Sequence, residues 1–213
     1  MNEIQSSAAI REDVYRLLAA CYYSPTPVLS DERCCETLAA LLSGLAPEAA
    51  AHAAEAAQML AAQSIETVAV EHARLFMGPF HLVAPPYGSY YLDDNQTVMG
   101  DSTAEVEAFY HACGLHLADD FHELPDHITV ELEFISFLAF SQRQAAASAD
   151  DAELRRLVVL QREFLGKYLM PWLEPFTAAV INDGEAPFYQ AIARCTAAFV
   201  TADNAALAVA AHG

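Results

Sequence analysis

The chain has 213 residues, 54% of them hydrophobic and 18% charged, enough apolar material for a sizeable core and too much for disorder. Its 29 acidic against 10 basic residues give a formal charge of -19, which excludes nucleic acid and anionic membrane as partners and favours a cationic one, unless the acid merely keeps an apolar protein in solution. Five cysteines are an odd number, no CxxC occurs, and Cys34 and Cys35 are adjacent, so reduced thiols in the cytoplasm are expected rather than a disulfide framework or a zinc site.

MNEIQSSAAIREDVYRLLAA has no basic segment leading into an apolar one, so no signal peptide is expected. No uninterrupted apolar run approaches the ~18 residues of a membrane helix, and no stable membrane insertion is expected. Val14, Leu17, Leu18, Cys21 and Tyr22 form a helical stripe between Ile10 and Tyr23. SPTPVLSDE breaks that helix, and Ser30 or Asp31 is placed to cap a second one ending at Leu42. Pro47 opens a third helix running to Ala62, and Ser64 a fourth ending at Gly78. The connection from Gly78 to Gly100 contains APPYGSYYLDD, from Ala84 to Asp94, stiffened by proline and rich in tyrosine. A loop above ~12 to 15 residues without structure of its own is usually functional or disordered, and this composition favours function. Ser102 to Glu105 has capping-box spacing and starts a fifth helix that stops at Gly114. Pro125-Asp126 opens a helix to Gln144, another spans Asp151 to Met170, and Pro171 bends the path at Trp172. A last helix runs from Pro187 to Val200, with a fraying tail from Asp203. With no strand alternation, repeat or linker, the expectation is one all-α domain of about eight or nine helices over the whole chain.

His111, Cys113, His116, His122 and His127 supply imidazoles and a thiol in a short span, a set that zinc could use. No Glu-x-x-His occurs, however, and the i, i+4 pairs His127/Glu131 and Glu107/His111 read as surface ion pairs. Lys167 is the only lysine, and neither GxxxxGK[ST] nor GxSxG is present, so a P-loop and an esterase-type serine are excluded. Two segments remain: Glu71 to Pro79 leading into APPYGSYYLDD, and Glu123-Leu124-Pro125-Asp126-His127. Taken singly, Asp126 is an N-cap, His127 a first-turn surface residue, Leu75 and Phe76 core, and the tyrosines packing. Taken together, acid, imidazole and tyrosine on proline-stiffened loops suit a peptide groove better than a reaction centre.

These residues resemble a known family. The runs Arg74-Leu75-Phe76-Met77-Gly78-Pro79, Ala84 to Asp93, and Gly100-Asp101-Ser102-Thr103 look like those of the TorD/DmsD redox-enzyme maturation chaperones. So do Pro125-Asp126-His127 and Pro187-Phe188-Tyr189-Gln190, in the family's order. The likeness is nearer the DmsD-like branch, although Tyr87 stands where that branch usually has Trp. The resemblance implies an all-helical, non-enzymatic cytoplasmic chaperone without cofactor, monomeric or dimeric. Such a chaperone binds the twin-arginine signal peptide of a molybdopterin enzyme's apo catalytic subunit and delays Tat export until the cofactor is loaded. It implies a binding site of Leu75, Phe76, Pro86, Tyr87, Gly100, Glu123, Pro125, Asp126 and His127, with Tyr22 as a further member. On chemistry alone, Asp126 and Glu123 can accept a guanidinium fork, Tyr87 and Tyr91 can stack on its face, and Leu75 and Phe76 can meet an apolar stretch if they face the groove. Two other readings stay open: a helical adaptor with no preference for paired arginines, and a metal-binding protein built on the His/Cys cluster.

Overall fold

The computed structural model describes residues 3–78, 82–118 and 122–210. Along them run α1 (Glu3–Tyr22), α2 (Val28–Asp31), α3 (Cys34–Leu42), α4 (Pro47–Ala61), α5 (Ile65–Phe76), α6 (Gly88–Leu92) and α7 (Asp101–Ala112). After them come α8 (Ile128–Ala147), α9 (Asp151–Phe164), a π turn (Leu165–Leu169), α10 (Met170–Asn182) and α11 (Pro187–Ala210). With the unbroken run from α9 to α10 counted once, these are ten helices, eight of them long, in one domain, and no strand occurs among the described residues.

Local chemistry explains most helix ends. Pro47 occupies the first turn of α4, where a missing N–H costs nothing. Ser64 caps α5 by accepting from the Thr67 N–H at 3.3 Å. Gly114, at φ +79°, ends α7 in the left-handed conformation a glycine adopts without strain. Other ends differ from expectation. Neither Ser30 nor Asp31 caps α3: both lie in or beside the short α2, and α3 starts from Arg33 in the left-handed region. Just before Pro171, where a bend is expected, the chain widens into the π turn, and Pro171 itself occupies the first turn of α10.

Packing follows from the buried faces. Ala49, Ala53, Ala56 and Leu60 recur at helical spacing on α4. The small side chains of the three alanines let α11 lie close against that face. α1 lies along α8, α3 on α4, and α10 on α11. One polar knot ties the last helix to the first. The buried Arg11 donates to both oxygens of Asp203, to Gln142 at 2.9 Å and to Gln161 at 2.7 Å. Tyr15 adds a hydroxyl bond to Asp203 at 2.7 Å. α11 continues past Asp203 to Ala210, with Asp203 and Leu207 buried. α11 is the one helix among the described residues long and apolar enough to cross a membrane, and its apolar face belongs to the core.

Candidate peptide-binding site

The loop expected to lack structure is largely ordered by pairing with a distant segment. Tyr87 and His127 form an isolated antiparallel bridge. The Gly88 N–H donates to the Asp126 carbonyl at 2.9 Å, and the Ile128 N–H to the Pro86 carbonyl at 2.9 Å. Proline has no donor, and only its carbonyl is used here. The chain then turns into α6, whose start is capped from outside: Asp126 Oδ2 accepts from the Ser89 N–H at 2.8 Å. Asp126 does not cap its own helix. His127 does, its Nδ1 accepting from the Thr129 N–H at 3.2 Å. Pro125 is fixed by the Tyr110 hydroxyl, which donates to its carbonyl at 2.9 Å.

The geometry places Pro86, Tyr87, Glu123, Pro125, Asp126 and His127 together. The half-buried Tyr87 donates its hydroxyl to Glu123 Oε2 at 3.2 Å and turns a ring edge to His127 at 5.1 Å between centroids. Burial, with Glu123 adjoining, pushes the Tyr87 hydroxyl up to about 12. His127 Nε2 lies 3.8 Å from the same carboxylate oxygen, yet burial and the nearby His72 lower its imidazole to about 3, so it is neutral. Asp126 is 2% exposed, and its Oδ1 has no hydrogen-bond partner.

Other expected members point elsewhere. Tyr22, Leu75 and Phe76 lie in the hydrophobic core rather than facing a groove, with Tyr22 Oη 3.1 Å from Thr196 Oγ1 and the Phe76 ring edge-on to Tyr189. Tyr91 stacks on Trp172 at 6.0 Å and 16°, so one face of its ring is turned to the indole. Gly100 serves by close approach. Asp93 accepts from the Ser102 N–H at 3.3 Å and from its hydroxyl at 2.9 Å, and so caps α7. A Cβ on Gly100 would lie 2.0 Å from Asp93 Oδ2. The capping-box reading of Ser102 and Glu105 therefore gives way to a cap supplied from across the turn. Pro79, part of the first motif, lies outside the described residues.

Two neighbours of Asp126 were hidden from sequence reasoning. Glu131 is buried rather than part of a surface pair; it accepts from Trp172 Nε1 at 3.3 Å through both oxygens. Burial, then the charge of Asp126, holds its carboxyl well above the usual range, so it is a neutral acid. Trp172 is the chain's single tryptophan, the one signal that pointed to it. In the His/Cys cluster, the rings of His111 and His116 approach to 4.3 Å, while His127 is engaged with Tyr87 and Thr129. Among the described residues, no three His, Cys, Asp or Glu side chains come together in a way that could hold a metal ion.

Residues 42–178 match the family model described as nitrate reductase delta subunit. The chain is 34% identical over 112 residues to a chaperone protein TorD of Psychrobacter sp., covering 52% of this chain and 48% of that one. It is 29% identical over 139 residues to the Tat proofreading chaperone DmsD of Salmonella typhimurium, covering 65% and 61%. With a TorD of Shewanella loihica it shares 31% over 149 residues, covering 68% and 64%. The matches thus span from about half to under two-thirds of these curated relatives' own length. A crystal structure of a redox enzyme maturation protein from Archaeoglobus fulgidus shares the fold, with TM-score 0.57 and 24% identity over 87% of this chain and 93% of that one. With a family model matched over more than half its length, the chain belongs to the nitrate reductase delta subunit family, the family of the TorD and DmsD chaperones.

Proposed function

We propose that this protein is a cytoplasmic chaperone that binds the twin-arginine signal peptide of a molybdopterin oxidoreductase's catalytic subunit and delays its Tat export until cofactor insertion and folding. Its role is binding, not catalysis. Family membership supports the reading, as do the names of relatives described as TorD chaperones and a Tat proofreading DmsD. The observation that carries it is the docking of the Pro86–Ser89 segment on Pro125–Ile128, which sets Tyr87, Glu123 and Asp126 side by side.

The half-exposed Glu123 offers a carboxylate to a guanidinium, and Tyr87 offers an aromatic face next to it. Each partly screened Asp/Glu–Arg contact is worth on the order of 1 to 4 kcal/mol before desolvation. A Glu123 contact, the ring of Tyr87 and apolar burial along the peptide together contribute toward the ~8 kcal/mol of micromolar affinity. The bridge pre-sets the loop, so little ordering is left to offset on binding.

Calorimetric titration with a twin-arginine signal peptide and its Lys-Lys variant, at low and moderate salt, tests this. The expected result is binding of the Arg-Arg peptide, weakened by salt, with the Lys-Lys peptide at least about tenfold weaker, because an ammonium cannot reproduce the planar fork. Equal affinity for the two peptides would replace this reading with a helical adaptor indifferent to arginine.

A further inference from the structure

Charge is unevenly spread along this chain. Residues 155–167, covering most of α9 and part of the π turn, hold three arginines and one lysine against one glutamate, a net +3 in a protein of -19. Two of these cations are already committed. Arg156 donates to both oxygens of Glu153 at 2.7 Å, and Lys167 Nζ lies 2.9 Å from Glu105 Oε2. The side chains of Arg155 and Arg162 make neither ion pair nor hydrogen bond among the described residues, not even with Asp151, one turn before Arg155. Arg155, Val159 and Arg162 recur at i, i+4 and i+7, on one side of the helix, and Val159 between them is 55% exposed. Glu163 and Arg156 lie on the flank towards the end of α7, close enough to influence the Cys113 thiol.

α11 extends this face. Arg11 bonds Gln161 of α9 and Asp203 of α11, which holds the two helices side by side. From Cys195 to Ala210 the only charged residue is Asp203, and its carboxylate is buried in the knot. Thr201, Ala202, Ala205, Ala206 and Val209 are exposed, Val209 at 77%. A stretch of small, uncharged side chains thus meets solvent beside two unspent arginines.

We propose that the adjoining outer faces of α9 and α11 dock an amphipathic helix of a partner protein, one whose apolar side is flanked by Asp or Glu. Arg155 and Arg162 stand roughly 10 Å apart along the axis, seven residues at 1.5 Å each, and match carboxylates two turns apart on the incoming helix. Val159, the exposed alanines of α11 and Val209 receive its apolar side, and their small size lets the helix axes approach closely. Shape selects a helix over a membrane. A helix is about 10 Å across and lies on this strip alone, while at about 0.15 M salt a Debye length of ~8 Å screens it from the acid elsewhere. An anionic bilayer covers a wide area and meets that acid too. A basic segment is turned away by the two arginines. None of these residues belongs to the candidate peptide site, so the proposal stands apart from the twin-arginine reading.

The test titrates the full chain into a fluorescein-labelled synthetic helix of about 18 residues, with Ala and Leu on one side and Glu beside them, at about 0.15 M salt. Versions carrying Gln or Lys in place of Glu are the controls. Anisotropy is expected to rise saturably for the Glu helix at concentrations on the order of 10 to 100 μM, with the Gln and Lys helices at least about fivefold weaker. Arg155→Glu combined with Arg162→Glu should weaken the Glu helix about tenfold, since two exposed ion pairs are lost and their charges reversed. Val159→Asp, which keeps both arginines, should weaken it about threefold or more. None of the three side chains belongs to the core, so these variants keep the fold. No saturable binding of the Glu helix up to about 1 mM, equal affinity for the three helices, or unchanged affinity in both variants would overturn the proposal. So would binding to vesicles of phosphatidylcholine and phosphatidylglycerol that the double variant loses, because that would assign the strip to a lipid surface.

Discussion

Three ionisable groups within six residues of chain, Asp126, His127 and Glu131, are set to different tasks by their surroundings. Asp126 spends one oxygen on the Ser89 N–H and keeps the other free. His127 is held neutral down to about pH 3 against an ordinary 6.5, chiefly by burial. Between those values the unfolded chain binds a proton that the folded one does not, so His127 makes stability rise with pH, by up to about 1.4 kcal/mol per pH unit. Glu131 acts in the opposite sense. Its raised pKa means that the fold retains a proton the unfolded chain releases above 4.5, so its contribution is full below 4.5 and declines as pH rises through the folded value. His127→Asn keeps an N-cap acceptor and removes the titration. Urea unfolding across pH is expected to show a flattened acid limb between about 3 and 6.5 for this variant, and a flattened decline above 4.5 for Glu131→Gln. A His127→Asn profile parallel to that of the parent chain would show that the imbalance lies elsewhere.

Helices whose ends depend on neighbouring residues were legible in the sequence: Pro47 and Ser64 start α4 and α5, and Gly114 ends α7. Ends set by contacts from outside the element were not. Asp93 caps α7 from nine positions before Ser102, and Asp126 caps α6 from 37 positions after Ser89. No local pattern marks either, so Ser102 and the loop were read wrongly in detail. The site shows the same division. Pro86, Tyr87, Glu123, Pro125, Asp126 and His127 came together as the motif order implied, whereas Tyr22, Leu75 and Phe76 turned into the core. For Leu75 the signal was present: Val68, His72 and Leu75 follow helical spacing on the buried face of α5. Glu131 was misread because an i, i+4 pair with His127 looks like a surface feature until Trp172 covers it. A test of the distant cap is Gly100→Ala. Its Cβ must push Asp93 away from the α7 terminus, and the expected loss is about 1 to 3 kcal/mol in chemical denaturation. A loss below about 0.5 kcal/mol would show that Asp93 is dispensable there.

Across the whole molecule, the knot of Arg11, Tyr15, Gln142, Gln161 and Asp203 joins α1, α8, α9 and α11 in the interior. Asp203→Ala leaves a buried guanidinium without its counter-charge, and a cost of about 3 to 5 kcal/mol is expected. Thermal denaturation would register it as a large fall in Tm, and a shift of less than about 1 kcal/mol would mean the carboxylate is not needed to hold α11. The charge of -19 acts at the same scale. Under the proposed function it would speed encounter with a cationic peptide, more so at low salt, and contribute less to residence once bound. Affinity and selectivity are assigned instead to the few groups around Asp126. The most direct test of that assignment is calorimetric titration of a twin-arginine signal peptide into the parent chain, Asp126→Asn and Tyr87→Ala. Asp126→Asn keeps a side-chain acceptor for the Ser89 N–H while removing the charge. A loss of about tenfold or more in affinity for Asp126→Asn, with a smaller loss for Tyr87→Ala, is the predicted result. Unchanged affinity in both variants would contradict the account and place the peptide on another face.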